Sequence, residues 1–214
     1  ESYVGGIAGY TSTSSILLRN TNAGAITFGA SRGGSQSLYA HIGGIAGRAN
    51  GEISSCNNDG DITATSAVQN IYIGGIAGDM DQEMKESYWT GTITNVGNIE
   101  CNGSVSTGVY VGGIVGDAAK PFQNAECHCK ISTIIYDNMN IGMILGTPRT
   151  SSIYVSNCKI GGTAFEFDEE DQSIEPLKLT ANNFHKYIYG GTTNWTGVVE
   201  YDGCTFLAEK PTFE

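Results

Sequence analysis

The hexapeptide Val4-Gly5-Gly6-Ile7-Ala8-Gly9 recurs as Ile42-Gly43-Gly44-Ile45-Ala46-Gly47, Ile73-Gly74-Gly75-Ile76-Ala77-Gly78 and Val111-Gly112-Gly113-Ile114-Val115-Gly116. It returns in worn form as Ile141-Gly142-Met143-Ile144-Leu145-Gly146, and successive starts lie 38, 31, 38 and 30 residues apart. A motif of fixed order at such a period marks an array of stacked units, each motif residue becoming a column along one face. Candidate sites therefore have to be sought as columns rather than as isolated residues.

Each unit continues into a small-x-apolar pattern: Gly24-Ala25-Ile26, Gly60-Asp61-Ile62, Gly91-Thr92-Ile93, Cys129-Lys130-Ile131 and Cys158-Lys159-Ile160. The second unit then reads as three strands, at 38–46, 52–56 and 61–67, separated by Arg48-Ala49-Asn50-Gly51 and Asn57-Asn58-Asp59-Gly60. With no helical periodicity between strands there is no crossover helix, so βαβ units are excluded. The pattern predicts an all-β fold: a right-handed parallel β-helix of about five or six three-strand coils with a C-terminal cap. Residues 1–163 are read as a five-coil repeat solenoid and 164–214 as a degenerate sixth coil and cap. In that last part Tyr187-Ile188-Tyr189-Gly190-Gly191 echoes Ile71-Tyr72-Ile73-Gly74-Gly75, and Cys204-Thr205-Phe206 echoes Cys158-Lys159-Ile160. The acidic run Asp168-Glu169-Glu170-Asp171 reads as an insertion loop or part of the cap.

Strand alternation places Val4, Ala8, Ile42, Ala46, Ile73, Ala77, Val111, Val115, Ile141 and Leu145 in the core. The column Ile7, Ile45, Ile76, Ile114 and Ile144 then points outward, unless a bulge at the glycine pair turns it in.

Gly-Gly-Ile-x-Gly followed by Ile-x-x-Cys-x-Asn-x-Gly-x-Ile-Thr resembles the GLUG-type repeat of bacterial surface and secreted proteins, including adhesin-like ones. The second unit fits best, from Ile42 to Thr63, with Ile53, Cys56, Asn58, Gly60 and Ile62 in place. The first and third put Asn20 and Ser87 where the Cys would stand, and the fourth and fifth alter the second half. The resemblance implies a stalk or adhesive part of a larger extracellular or cell-surface protein. It transfers no catalytic residue.

A net charge of −11 disfavours binding to nucleic acid or anionic membranes. No apolar run approaches the ~18 residues of a membrane span. The chain opens at Glu1 with a complete motif already at Tyr3 to Gly9, so it reads as a mature or excised fragment continuing upstream, its targeting signal or anchor outside it.

Ahead of the motif stand Tyr3, His41, Tyr72, Tyr110 and Asn140, a near-continuous aromatic ladder if the coils stack in register. Rigid rings suit the apolar faces of sugars, although stacked aromatics also simply stabilise neighbouring strands. Trp195, in the polar segment Thr193-Asn194-Trp195-Thr196, is a second candidate ligand platform, or a plug at the coil end; Trp89 lies in similar company. Behind the motif stand Tyr10, Arg48, Asp79, Asp117 and Thr147. There Asp79 over Asp117 is a like-charge pair that a hard cation could relieve, with Asp81 and Glu83 near, or else a set of solvated turn carboxylates.

Cys129, Cys158 and Cys204 share the column of Gly24, Gly60 and Gly91 in this reading, and buried thiols are favoured over disulfides. Alternation puts His128 opposite Cys127 and Cys129, and no second ligand pair completes a tetrahedral zinc set, so no metal or cofactor is expected. Catalysis is not expected either. Arg19, Arg32, Arg48 and Arg149 are dispersed, and Asp79 with Asp117 is the carboxylate pair the repeat brings together, against the two carboxylates glycoside hydrolysis requires. The sequence reading is thus a non-catalytic extracellular module that binds a glycan or protein ligand through Tyr3, His41, Tyr72, Tyr110 or Trp195. The alternative is a structural stalk, and less readily a polysaccharide-degrading β-helix enzyme.

Overall fold

The computed structural model describes residues 1–29, 39–65, 68–80, 89–90, 93–102, 105–134, 138–150, 152–168, 173–190 and 198–212. Its architecture follows from the corner that each motif builds. The strand Tyr39–Gly43 ends at Gly43, the chain bends through Gly44 and Ile45, and Ala46–Ala49 leaves in a second sheet. The bend is too tight for side chains at the first glycine. A Cβ on Gly43 would lie 2.0 Å from the Ala46 carbonyl oxygen, and one on Gly74 would lie 1.9 Å from that of Ala77. The third glycine lies against the backbone of the preceding unit, where a Cβ on Gly78 would come within 2.3 Å of the Ile42 nitrogen.

Corners stack through a repeated pair of hydrogen bonds. Ile45 N and Ala46 N both donate to the Ile76 carbonyl, at 3.0 and 3.0 Å. Ile76 and Ala77 donate likewise to Ile114, Ile114 and Val115 to Ile144, and Ile144 and Leu145 to Ile188. The strands Ser2–Gly5, Tyr39–Gly43, Val68–Gly74, Val105–Gly112 and Met139–Gly142 therefore form one parallel sheet, in that order. A second parallel sheet holds Ala8–Thr11, Ala46–Ala49, Ala77–Met80, Val115–Ala118 and Leu145–Pro148. This is the all-β parallel solenoid that the repeat predicts.

The finer segmentation differs from the sequence reading. The second unit has five short strands rather than three: Tyr39–Gly43, Ala46–Ala49, Glu52–Ser54, Asn57–Asn58 and Ile62–Ala64. One added strand arises because the Gly44-Ile45 bend divides the first and resets strand alternation, and the other is Asn57–Asn58, within the segment read as a turn. That reset settles the isoleucine column: Ile45, Ile76, Ile114 and Ile144 are fully buried, together with Ile42, Ala46, Ile73, Ala77, Val111, Val115 and Leu145. In the first unit Val4 and Ala8 are half-buried and Ile7 is exposed, and Ile141 is half-buried in the fifth.

Two register assignments are corrected. Ile26, Ile62, Ile99 and Ile131 pair in succession, so the third member of that column is Gly97-Asn98-Ile99, while Ile93 pairs with Ala125. Cys129 therefore pairs with Gly162 and does not share a column with Cys158 and Cys204. At the C-terminal end Ile188 occupies the place of Ile76, and Gly190 that of Gly78, four residues away from the alignment read from the sequence. The echo at Cys204-Thr205-Phe206 holds, with Thr205 on Lys159 and Phe206 on Ile160. The strand Lys159–Asp168 also pairs antiparallel with Ser173–Lys178, the acidic run falling between them and largely outside the described residues. Among the described residues no helix is long and apolar enough to cross a membrane.

Because Ile76 lies at a central corner with no exposed surface, Ile76→Asp buries a carboxylate among apolar columns. Chemical denaturation is expected to show a loss of at least ~4 kcal/mol or an unfolded chain. A variant within ~1 kcal/mol of the parent would place the column outside the core.

Candidate functional site

The residues ahead of the motif do form a ladder. Parallel pairing sets Tyr3 on His41, His41 on Tyr72, Tyr72 on Tyr110 and Tyr110 on Asn140. The ring centroids are 5.2, 4.8 and 4.7 Å apart along the aromatic rungs, and the two inner contacts are within 9° of coplanar. The stack runs along the sheet, so ring faces meet neighbouring rings while ring edges border the outer surface. Tyr3, Tyr72 and Tyr110 are half-buried, and His41 is 6% exposed. Burial holds the His41 imidazole down to a pKa of about 4, with the guanidinium groups of Arg149 and Arg48 adding to the effect. His41 is thus a neutral aromatic rung at pH 7. Burial likewise raises the Tyr72 and Tyr110 phenols, so both keep their protons and can donate hydrogen bonds.

Beside the ladder runs the charged column, in the register read from sequence: Tyr10, Arg48, Asp79, Asp117, Thr147. Its carboxylates are not solvated. Asp79 is 1% exposed and Asp117 5%. Guanidinium groups balance their repulsion. Arg149 Nε and Nη2 lie 2.9 and 2.7 Å from Asp117 Oδ2, and Nη2 also bonds Asp79 Oδ1. Arg48 Nε stands 3.3 Å from Asp79 Oδ2. The Arg149 backbone nitrogen is fixed on the Ala118 carbonyl at 2.7 Å, which aims the side chain back along the column. Burial, with the like charge of Asp117, still raises Asp79 to a pKa of about 6 against the pull of both arginines. Arg48 continues to the ladder, donating to the Tyr3 hydroxyl at 2.8 Å with its guanidinium carbon 5.6 Å from the Tyr3 ring centre. His41 Nδ1 is 3.7 Å from Asp79 Oδ2, too long for a hydrogen bond. Ladder and charged column are one interlocked cluster.

Arg149 had no sequence signal, since its partners are read only once the coils are stacked. A second element did have one. Asn22-Ala23-Gly24, Asn58-Asp59-Gly60 and Asn95-Val96-Gly97 repeat an Asn-x-Gly triplet. The three side chains form an internal ladder: Asn22 Nδ2 donates to Asn58 Oδ1 at 2.7 Å, and Asn58 Nδ2 to Asn95 Oδ1 at 2.8 Å. Each amide also donates to the glycine carbonyl two residues on, at 2.9, 2.9 and 3.2 Å, closing a bend in the chain. In the fourth unit Cys127 takes the Asn place, and the strand Ala125–Thr133 runs straight through the former bend. Cys127 and Cys129 are buried with sulfurs 3.3 Å apart, and His128 on the other face is half-buried.

Trp195, Asp81 and Glu83 lie outside the described residues, as does Arg32. Among the described residues no group of three or more His, Cys, Asp or Glu is arranged to hold a metal ion.

A family model, the GLUG motif, matches residues 39–63, which span the second unit from its ladder strand through the Asn58 bend. No curated protein and no solved structure matches the chain. The chain carries a GLUG repeat in its second unit, and the columns of that unit continue through its neighbours.

Arg149→Leu removes the bridging cation and leaves two buried carboxylates facing one another, so a loss of about 3–5 kcal/mol is expected at pH 7. The pH dependence has a definite sign. The folded-state pKa of Asp79, already above its ordinary 3.8, rises further in the variant. A raised carboxyl pKa means that the folded state binds the proton more tightly than the unfolded chain. The deficit is therefore greatest above the folded pKa and shrinks as pH falls through it. Urea denaturation of parent and variant at pH 7 and pH 5 checks this; a gap that is independent of pH would contradict it.

Proposed function

We propose that this GLUG-repeat β-solenoid is a non-catalytic, extracellular cell-surface module that engages a glycan or protein ligand along its aromatic ladder. The observation that carries this reading is the ladder's geometry. Tyr72 and Tyr110 stand 4.7 Å apart, stacked in the ladder and half-buried, with their edges bordering the outer surface. Side chains held this firmly lose little entropy on binding, so a row of modest contacts can act together. The stacking also defines the contact: ring faces are occupied by neighbouring rungs, and a ligand meets ring edges and phenol groups. Hydrogen-bonding ligands fit better than those that need a flat aromatic platform. Trp195 is the complementary platform candidate. The chain's net charge of −11 favours neutral or basic ligands.

The non-catalytic part of the proposal is supported by the state of the carboxylate pair. Asp79 and Asp117 are buried and bridged by Arg149, an arrangement for holding charge in place rather than for exchanging protons with a substrate. The stalk reading has its own support: face-to-face occupation of every inner ring is what a purely structural ladder would show.

Glycan-array and protein-ligand screening of the 214-residue chain separates the two. The proposal expects binding that falls at least tenfold in a Tyr72→Phe/Tyr110→Phe variant, which keeps the stack and removes the hydroxyls, or in Trp195→Ala. Binding unchanged in both variants would dismiss these residues as the site, and no binding by the parent would leave the stalk.

A further inference from the structure

The C-terminal end holds two cysteines in adjacent turns that the functional reading does not use. Among the described residues, four units have a residue in the left-handed backbone region at one bend, Arg19, Ser55, Asn124 and Asn157 with φ between 52° and 59°, and Gly203 has φ 63° at the last turn. The residues that follow these bends form a column, and in its last two rungs they are Cys158 and Cys204. The pair is bracketed by cross-strand hydrogen bonds on both sides. Asn157 N donates to the Asp202 carbonyl at 2.9 Å, and Thr205 N donates to the Cys158 carbonyl at 2.9 Å. Immediately beyond, Lys159 pairs with Thr205 in a parallel ladder. Neighbouring parallel strands lie about 4.8 Å apart, within the Cα separation that a disulfide accepts.

We propose that Cys158 and Cys204 are a redox-active pair that closes into a disulfide, stapling the terminal strand Thr205–Phe206 to the body of the solenoid. The strand is two residues long and forms the edge of its sheet, so it can take up the small approach that bond formation requires. The two thiols divide the chemistry. Cys204 is half-buried and can be reached from solvent, whereas Cys158 is fully buried beneath it. The hydrogen bond from Cys158 lowers the Cys204 pKa to about 7, and the same bond, with burial, keeps the proton on Cys158.

With a low-molecular-weight disulfide as oxidant, the reaction balances in two exchanges. The Cys204 thiolate, its proton lost to solvent, attacks one sulfur of the oxidant and expels the first thiolate. Cys158 then attacks the Cys204 sulfur, expels the second thiol and passes its proton to that leaving group. Two protein thiols are oxidised and one external disulfide is reduced to two thiols. Cys127 and Cys129, although close, sit two apart on one continuous buried strand, away from solvent oxidants.

The test is to equilibrate the 214-residue chain with oxidised glutathione and map it without reduction. The expected product has lost two hydrogens, yields a peptide joining Cys158 to Cys204, and melts roughly 5 °C or more above the reduced chain, because the bond closes a long loop. Cys204→Ser should abolish the cross-link and the redox dependence of melting, whereas Cys127→Ser should keep both. The wild-type comparison needs no variant to fold. A stable glutathione adduct on Cys204, a cross-link between other cysteines, or equal melting of the cross-linked and reduced chains would overturn the proposal.

Discussion

The structure depends on a backbone corner that excludes side chains. At Gly43, Gly74 and Gly112 any Cβ would fall within about 2 Å of a carbonyl oxygen three residues on, and at Gly47, Gly78 and Gly116 it would meet the backbone of the preceding unit. Because nothing but backbone fits, these glycine corners share one hydrogen-bonding pattern, in which one carbonyl accepts from two amides of its neighbour. Such corners force the strands on either side into register. The aromatic ladder and the charged column follow from that register, since they are the residues flanking the corner on each side. The proposed ligand-contacting edge is thus a by-product of glycine placement.

The interior shows how the second motif glycine is coupled to chemistry elsewhere in the same unit. A Cβ on Gly44 would come within 2.3 Å of the Asn58 side chain, one on Gly75 within 2.2 Å of Asn95, and one on Gly113 within 2.4 Å of the Cys127 sulfur. Where the polar ladder has ended, in the fifth unit, Met143 replaces the glycine and Ile160 stands on Cys127, both buried. The worn motif is therefore a consistent change: a glycine over an amide gives way to a thioether near an aliphatic chain. Buried amides are tolerated in the first three units because Asn22 and Asn58 donate along the ladder, Asn95 accepts at its end, and all three donate to a glycine carbonyl.

Much of this was legible before any coordinates. Repeat spacing identifies a stacked all-β solenoid, and the columns Tyr3–His41–Tyr72–Tyr110 and Tyr10–Arg48–Asp79–Asp117 follow from aligning one motif. What eluded the sequence was whatever depends on geometry between motifs. The burial of Ile45 and Ile76 turns on a bend that resets strand alternation, which a period-two rule does not represent. The choice of Gly97-Asn98-Ile99 over Gly91-Thr92-Ile93 is dictated by Asn95, whose side chain must reach Asn58, and the triplet Asn-x-Gly was the available signal. Arg149 is invisible until stacking carries it over Asp79 and Asp117, and carboxylates that read as solvated turn residues prove to be buried beneath it.

The glycine corner can be tested most directly by a paired substitution. Gly74→Ala and Gly24→Ala make the same change to composition and nearly the same change to the unfolded chain's entropy. A Cβ on Gly24 meets only Asn22 Oδ1, at an ordinary 3.6 Å, whereas one on Gly74 meets the Ala77 carbonyl oxygen at 1.9 Å. Equilibrium unfolding of the two variants should show Gly24→Ala within about 1 kcal/mol of the parent and Gly74→Ala less stable by at least ~3 kcal/mol. Equal stability of the two variants would contradict the claim that a side-chain-free corner organises the solenoid.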